Sequence, residues 1–154
     1  MFSDLTKLLQ VSETDMTIFF RILANLTTLQ SYSEYELANC FEEAYYHADE
    51  FRSKVQKPLI QWVRDYLARL VTQGRDNRDR KKAMDAVNPK YVLRNYLTQI
   101  AIDKAEQGDF SEIETLIKII KHPYNEQNDY HFYAAKRPEW ARNKAGCSML
   151  SCSS

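Results

Sequence analysis

The sequence predicts an all-α fold, a single helical bundle followed by an irregular C-terminal tail, and three observations predict it. Apolar residues recur at spacings of three and four, the mark of helices buried along one face. The chain holds only 3 Gly and 4 Pro, with each proline at a helix start or just beyond a helix end. Residues suited to capping, among them Ser33, Asn88 and Asp109, stand immediately before the stripes. With 154 residues, one domain with a sizeable core is expected, burying roughly 70% of the surface its unfolded form exposes. The bundle is assigned to residues 1–123 and the tail to residues 124–154.

Leu5, Leu8 and Leu9 suggest a short first helix ending near Val11, and Ser12 or Thr14 is placed to cap a second. That second helix presents Met16, Phe19, Phe20, Leu23 and Leu26 on one face. Ser33 with Glu36 forms a capping box, each side chain satisfying the other's backbone N–H, and opens a helix through Leu37, Phe41 and Tyr45. Pro58 reads as a first-turn proline for a helix carrying Leu59, Trp62, Val63, Tyr66, Leu67 and Leu70, stopped at Gly74. Trp62 is expected to be a core anchor.

Residues 75–82 are the most basic run, five cations against two carboxylates. They read either as a phosphate-contacting patch or as a solvated helix start with an Asp76 to Arg80 pair at i,i+4. Ala83, Met84 and Val87 carry the apolar side of that helix to Asn88-Pro89. There Asn88 as N-cap and Pro89 at the first helical position predict the organising helix, over residues 89–107, ended by Gly108. Its stripe is Leu93, Leu97, Ile100 and Ala101, with Lys104 near the negative end of the helix dipole. Asp109 and Glu112 form a second capping-box-like pair before Ile113, Leu116, Ile117 and Ile120. Beyond Pro123 the periodicity stops, apart from a single turn at Pro138-Glu139-Trp140-Ala141, so the tail is expected to lie over other elements or to be mobile in the absence of a partner.

Composition narrows the function. The formal net charge is +0 and the pI about 6.8, which favours neither nucleic acid nor an anionic membrane as partner. No run of 18 apolar residues exists, and Met1-Phe2-Ser3-Asp4 lacks a signal peptide's basic-then-apolar layout. A bacterial-like cytoplasmic protein is expected. An odd cysteine count, Cys40, Cys147 and Cys152, does not make a disulfide framework. Cys40 reads as a small buried hydrophobe. His47, His122 and His131 are far apart, His47 with Glu50 reads as a solvated pair, and no metal site is expected.

Five signatures in order carry a resemblance: Asn88-Pro89-x-Tyr91-Val92-Leu93-Arg94-Asn95-Tyr96-Leu97, Ala105-Glu106-x-Gly108-Asp109-Phe110, Pro123-Tyr124-x-Glu126-Gln127, Pro138-Glu139-Trp140-Ala141, and a final Ser151-Cys152-Ser153-Ser154. Together they resemble the C-terminal end of the selenoprotein O family, pseudokinase-like protein adenylyltransferases. The resemblance implies a larger protein whose N-terminal kinase-like domain uses ATP and magnesium to transfer AMP to protein hydroxyls. Kinase-like chemistry needs a glycine-rich loop, a phosphate-holding lysine and a metal-binding acid. Gly74, Gly108 and Gly146 are each isolated and no Asp-Phe-Gly occurs, so no catalytic or cofactor-binding residue is assigned in this chain.

The partners so implied are the chain's own N-terminal kinase-like domain and, through it, protein substrates. Cys152 lies where some members of the family are implied to carry selenocysteine, and becomes a redox candidate, with Cys147 as a candidate resolving thiol. Taken without the resemblance, Cys152 reads as an ordinary thiol on a frayed tail. The alternative function is a free-standing helical interaction module without catalysis, its partner surface built from Tyr45, Tyr46, Tyr124, Tyr130, Phe132, Tyr133 and Trp140.

Overall fold

A computed structural model of the chain describes residues 1–144, 146 and 147. It is all-α. Among the described residues the only strand-like pairing is an isolated antiparallel bridge between Thr14 and Tyr45. The chain falls into two compact units, Met1–Asn88 and Pro89–Ser154, in place of the expected bundle over 1–123 with a tail over 124–154.

The first unit contains α1 (Phe2–Val11), α2 (Met16–Asn25), α3 (Glu34–Glu42), a short α4 (Ala48–Glu50), α5 (Gln56–Gln73) and α6 (Asn77–Asp85). The Ser33 capping box forms as expected, with both reciprocal bonds present. The cap of α2 is Asp15, not Ser12 or Thr14: its Oδ1 accepts the Ile18 amide at 3.1 Å, and its Oδ2 accepts the Tyr46 hydroxyl at 3.2 Å. Asp15 is chosen because its own N–H is already tied to Ala44 O at 2.7 Å, beside the Thr14–Tyr45 bridge.

Between α4 and α5, residues Phe51–Val55 form a π-helical turn, in which the Gln56 N–H reaches Phe51 O. The turn sets Phe51 and Val55 fully inside the core. There they join Phe19, Leu37, Phe41, Tyr45, Leu59 and Val63. Trp62 is buried as expected and donates its indole N–H to Met1 O at 2.8 Å.

The basic run does not make the expected Asp76 to Arg80 pair. Asp76 caps α6 by accepting the Arg78 and Asp79 amides at 2.8 and 3.1 Å. Arg80 turns inward, is 4% exposed, and donates to the carbonyls of Leu23 and Ala24 at 3.4 and 3.3 Å and to that of Leu26. The last carbonyls of a helix have no intrahelical partner, and a guanidinium with five donors can serve several of them together. A cation at that end also opposes the helix dipole.

The second unit corrects the expected organising helix. Its helix α7 spans Asn95–Ala105, with Arg94 at the cap position, and residues 89–94 are not helical. Asn88 closes the preceding helix, its side-chain amide donating to Met84 O at 2.7 Å. The Lys90 and Tyr91 amides both donate to Pro123 O, at 2.8 and 3.1 Å. Tyr91 is fully buried and its hydroxyl donates to Gln127 O at 2.9 Å. These bonds to a distant segment outweigh the local helix-start signal of Asn88-Pro89.

Gly108 adopts φ +84 just past α7, the left-handed residue expected there. Helix α8 (Ser111–Ile120) follows, but Asp109 and Glu112 form no capping box. Asp109 accepts the Ser111 amide at 2.9 Å, while Glu112 is buried and engaged elsewhere. The residues after Pro123 are part of this unit. They include a 3-10 turn (Asn128–Tyr130), the short α9 (His131–Ala134) and a second 3-10 turn (Glu139–Ala141).

Candidate functional site

Helices α7 and α8 form a hairpin with apolar residues on two faces. One face is sealed by the chain that follows. Tyr96, Leu97, Ala101 and Leu116 make a cluster with Ala141 and Cys147, and the Trp140 ring meets Tyr96 edge-on at 6.2 Å. At the rim, Glu112 accepts the Tyr133 hydroxyl at 2.8 Å and the Lys104 ammonium at 2.6 Å. Burial, reinforced by the Glu112 carboxylate, pushes the Tyr133 hydroxyl up to about 12. The same carboxylate raises Lys104.

The end of the described chain is fastened by Lys144, which meets Asp103 Oδ2 at 2.7 Å, while Gln99 donates to Asp103 Oδ1 at 2.7 Å. Lys144 and then Gln99 hold the Asp103 carboxyl below its ordinary value. A carboxyl depressed on folding contributes above its ordinary range and loses that contribution as pH falls through the lowered value. Gly146 lies against Gln99 with φ +80, and a Cβ there would run into Gln99 Oε1. Gly146→Ala is therefore expected to cost about 1–2 kcal/mol through its left-handed backbone. Thermal melting and faster thiol labelling of Cys147 check this. An unchanged melt and an unchanged rate would contradict the fastening.

No described segment covers the second face of the hairpin. It forms a groove of about 440 Å³ lined by Leu93, Ala101, Ile102, Ile113, Leu116, Ile117 and Ile120, with Thr98 and Lys121; Ala101 and Leu116 reach both this groove and the sealed cluster. Leu93, Ile102 and Ile117 are 55%, 44% and 53% exposed. Leu93 and Ile117, expected in buried stripes, therefore belong to an uncovered surface. Contiguous exposed apolar side chains of this kind mark interaction surfaces.

Of the redox candidates, Cys147 is buried, 4% exposed, within the Tyr96–Leu116 cluster. Cys152, with the Ser151-Cys152-Ser153-Ser154 tetrapeptide, lies outside the described residues. Cys40, expected to be buried, is exposed on α3. His47 Nε2 approaches Glu13 Oε2 at 3.5 Å; Glu50, its expected partner, bonds Lys54 at 2.9 Å and Ser12 at 3.0 Å, and Lys54 first, with Ser12 and more weakly His47, holds its carboxyl below the ordinary value. Among the described residues no three His, Cys, Asp or Glu gather as a metal site would need. No helix of the described residues is long and apolar enough to cross a membrane.

The aromatic residues proposed as one partner surface do not share one environment. Tyr45 is fully buried and Tyr133 is tied to Glu112, whereas Tyr124, Phe132 and Trp140 are exposed.

Three of the segments that carry the family resemblance, those around Tyr91, Pro123 and Trp140, meet among the described residues. Pro123 and Gln127 bind Lys90 and Tyr91 through the bonds given above, Glu126 pairs with Lys90, and Trp140 and Ala141 pack against Tyr96 and its cluster. Gln127 also donates its side-chain amide to the carbonyls of Ile119 and His122, at 3.2 and 2.9 Å, closing α8. These three segments hold the second unit together. Sequence reasoning missed the groove and the Glu112 network, whose members Lys104 and Tyr133 stand eight and twenty-one residues from Glu112 in the chain.

The model of the family described as "Protein adenylyltransferase SelO" matches residues 1–121. A protein nucleotidyltransferase YdiU of Rhodopirellula baltica is 46% identical over 158 residues, covering 97% of this chain and 29% of the relative. Its counterpart from Xanthomonas campestris pv. campestris is 45% identical over 152 residues, covering 98% and 28%. That of Flavobacterium johnsoniae is 42% identical over 152 residues, again covering 98% and 28%. The chain thus spans less than a third of the length of these relatives.

Proposed function

The chain belongs to the SelO family of protein adenylyltransferases, and on that premise we propose that it acts as the C-terminal helical domain of a longer enzyme that transfers AMP from ATP to protein hydroxyls. In this reading the domain braces a kinase-like lobe and carries Cys152 as a redox control on activity. The observation that carries it is the coverage: nearly the whole chain matches under a third of each relative, and its sequence holds no phosphate-cradling motif.

ATP and magnesium would be held by the kinase-like lobe. The groove on α7 and α8 does not fit them, since its lining is apolar but for Thr98 and Lys121, whereas magnesium takes oxygen ligands, carboxylates above all. The buried Glu112, already shared by Lys104 and Tyr133, is not free to supply one.

A test of the redox element uses the full-length protein. Oxidant is expected to lower AMP transfer several-fold in the wild type, and Cys152→Ser is expected to abolish that dependence while leaving activity under reducing conditions intact. Equal oxidant sensitivity in the wild type and Cys152→Ser would remove Cys152 from the account. The second reading, a free-standing interaction module, is favoured by the exposed Leu93, Ile102 and Ile117. The intact mass of the cellular protein separates the two: several hundred further residues support the domain reading, and a mass near 18.1 kDa supports the module.

A further inference from the structure

Among the described residues the α7–α8 hairpin is sealed on one face by its own chain and open on the other, and the open groove is specific in character. Leu93, Ile102 and Ile117 rim it, Ile113 and Ile120 line it, and Lys121 is its only charged lining residue. No acid lines the groove, and the Lys121 ammonium makes no ion pair among the described residues. An occupant must therefore be apolar along its length and anionic at one end. Two packed helices offer a trough that a third can enter by ridge-into-groove packing, with anchors at i, i+3, i+4 and i+7. An all-α unit without a free strand edge among its described residues offers an extended peptide no comparable main-chain partner. The relatives supply an occupant, because more than two-thirds of each lies outside the stretch this chain matches.

We propose that the groove seats an amphipathic helix from the part of the full-length protein outside these 154 residues, with its apolar ridge between α7 and α8 and a carboxylate at one end meeting Lys121. The proposal rests on the reading that the chain is one domain of a longer adenylyltransferase, and it names the surface by which that domain is joined to the rest.

The test places a reporter thiol at the rim, Ile117→Cys, in the full-length protein and in the 154-residue chain, with all other cysteines replaced. Ile117 is half exposed, so the substitution leaves the sealed face intact. The rate of modification by a bulky maleimide is measured natively and normalised to the rate in denaturant. The normalised rate is expected to be at least tenfold lower in the full-length protein than in the chain alone, and Lys121→Glu is expected to recover at least threefold of it. Equal rates in the two proteins overturn the proposal, and failure of Lys121→Glu to raise the rate overturns the carboxylate contact. Protection that appears in the chain alone and grows with its concentration assigns the groove to a second copy instead, and likewise overturns it. AMP transfer by the full-length wild type is measured in parallel. A protected thiol without transfer preserves the docked helix and refutes the adenylyltransferase reading, whereas transfer with an unprotected thiol does the reverse.

Discussion

Arg80→Met is expected to lower the unfolding free energy by about 2–4 kcal/mol, because it strips partners from buried carbonyls at the end of α2 rather than merely removing a surface charge. The guanidinium serves Leu23, Ala24 and Leu26, and also donates to the Tyr66 hydroxyl at 3.3 Å. Methionine fills a similar volume without a donor, so each of these acceptors would be left buried and unsatisfied. Arg80→Lys is expected to recover only part of the loss, since an ammonium cannot reproduce the planar fork that reaches several carbonyls at once. Urea unfolding followed by circular dichroism measures both. A loss below half a kcal/mol in Arg80→Met would show that water satisfies the end of α2 and that the inward turn of Arg80 is incidental.

Leu97→Ala is expected to cost about 2–5 kcal/mol, the range for emptying a packed core position. Leu97 is 1% exposed and sits where α7 meets α8, Ala141 and Cys147. Ile100→Ala is expected to cost less, because Ile100 is only half-buried against the same cluster. Beyond the loss of stability, Leu97→Ala should raise the labelling rate of Cys147, which shares the cavity that the substitution opens. Equal costs for the two positions would contradict the assignment of Leu97 to the sealed side of the hairpin.

What could be read from the sequence was local. The Ser33 box, the end of α5 at Gly74 and the left-handed Gly108 each depend on a few neighbouring residues, and each appears where expected. The start of α7 was misread because Asn88-Pro89 is a sound local signal overridden by distant partners: the Pro123 carbonyl takes two amides, and the Gln127 backbone takes the Tyr91 phenol. Arg80 was read as solvated because helical spacing puts Asp76 within its reach, whereas the carbonyls it serves lie more than fifty residues away in the chain. Periodicity also could not separate the two faces of the hairpin. Leu97 and Ile102 lie on one helix, yet one is 1% and the other 44% exposed, since a pattern of apolar residues says that a face wants cover and not what covers it.

The family resemblance rested on segments within residues 88–154, while the family match runs over residues 1–121. The first unit belongs to the family as fully as the second.

The central claim, that this chain is a helical part of an adenylyltransferase and holds none of its catalytic groups, is tested most directly by AMP transfer. The purified 154-residue chain and the full-length protein are each incubated with labelled ATP, magnesium and candidate protein substrates, and label on protein is counted. The account predicts transfer by the full-length protein and none above background by the chain alone. Label transferred by the chain alone would contradict it.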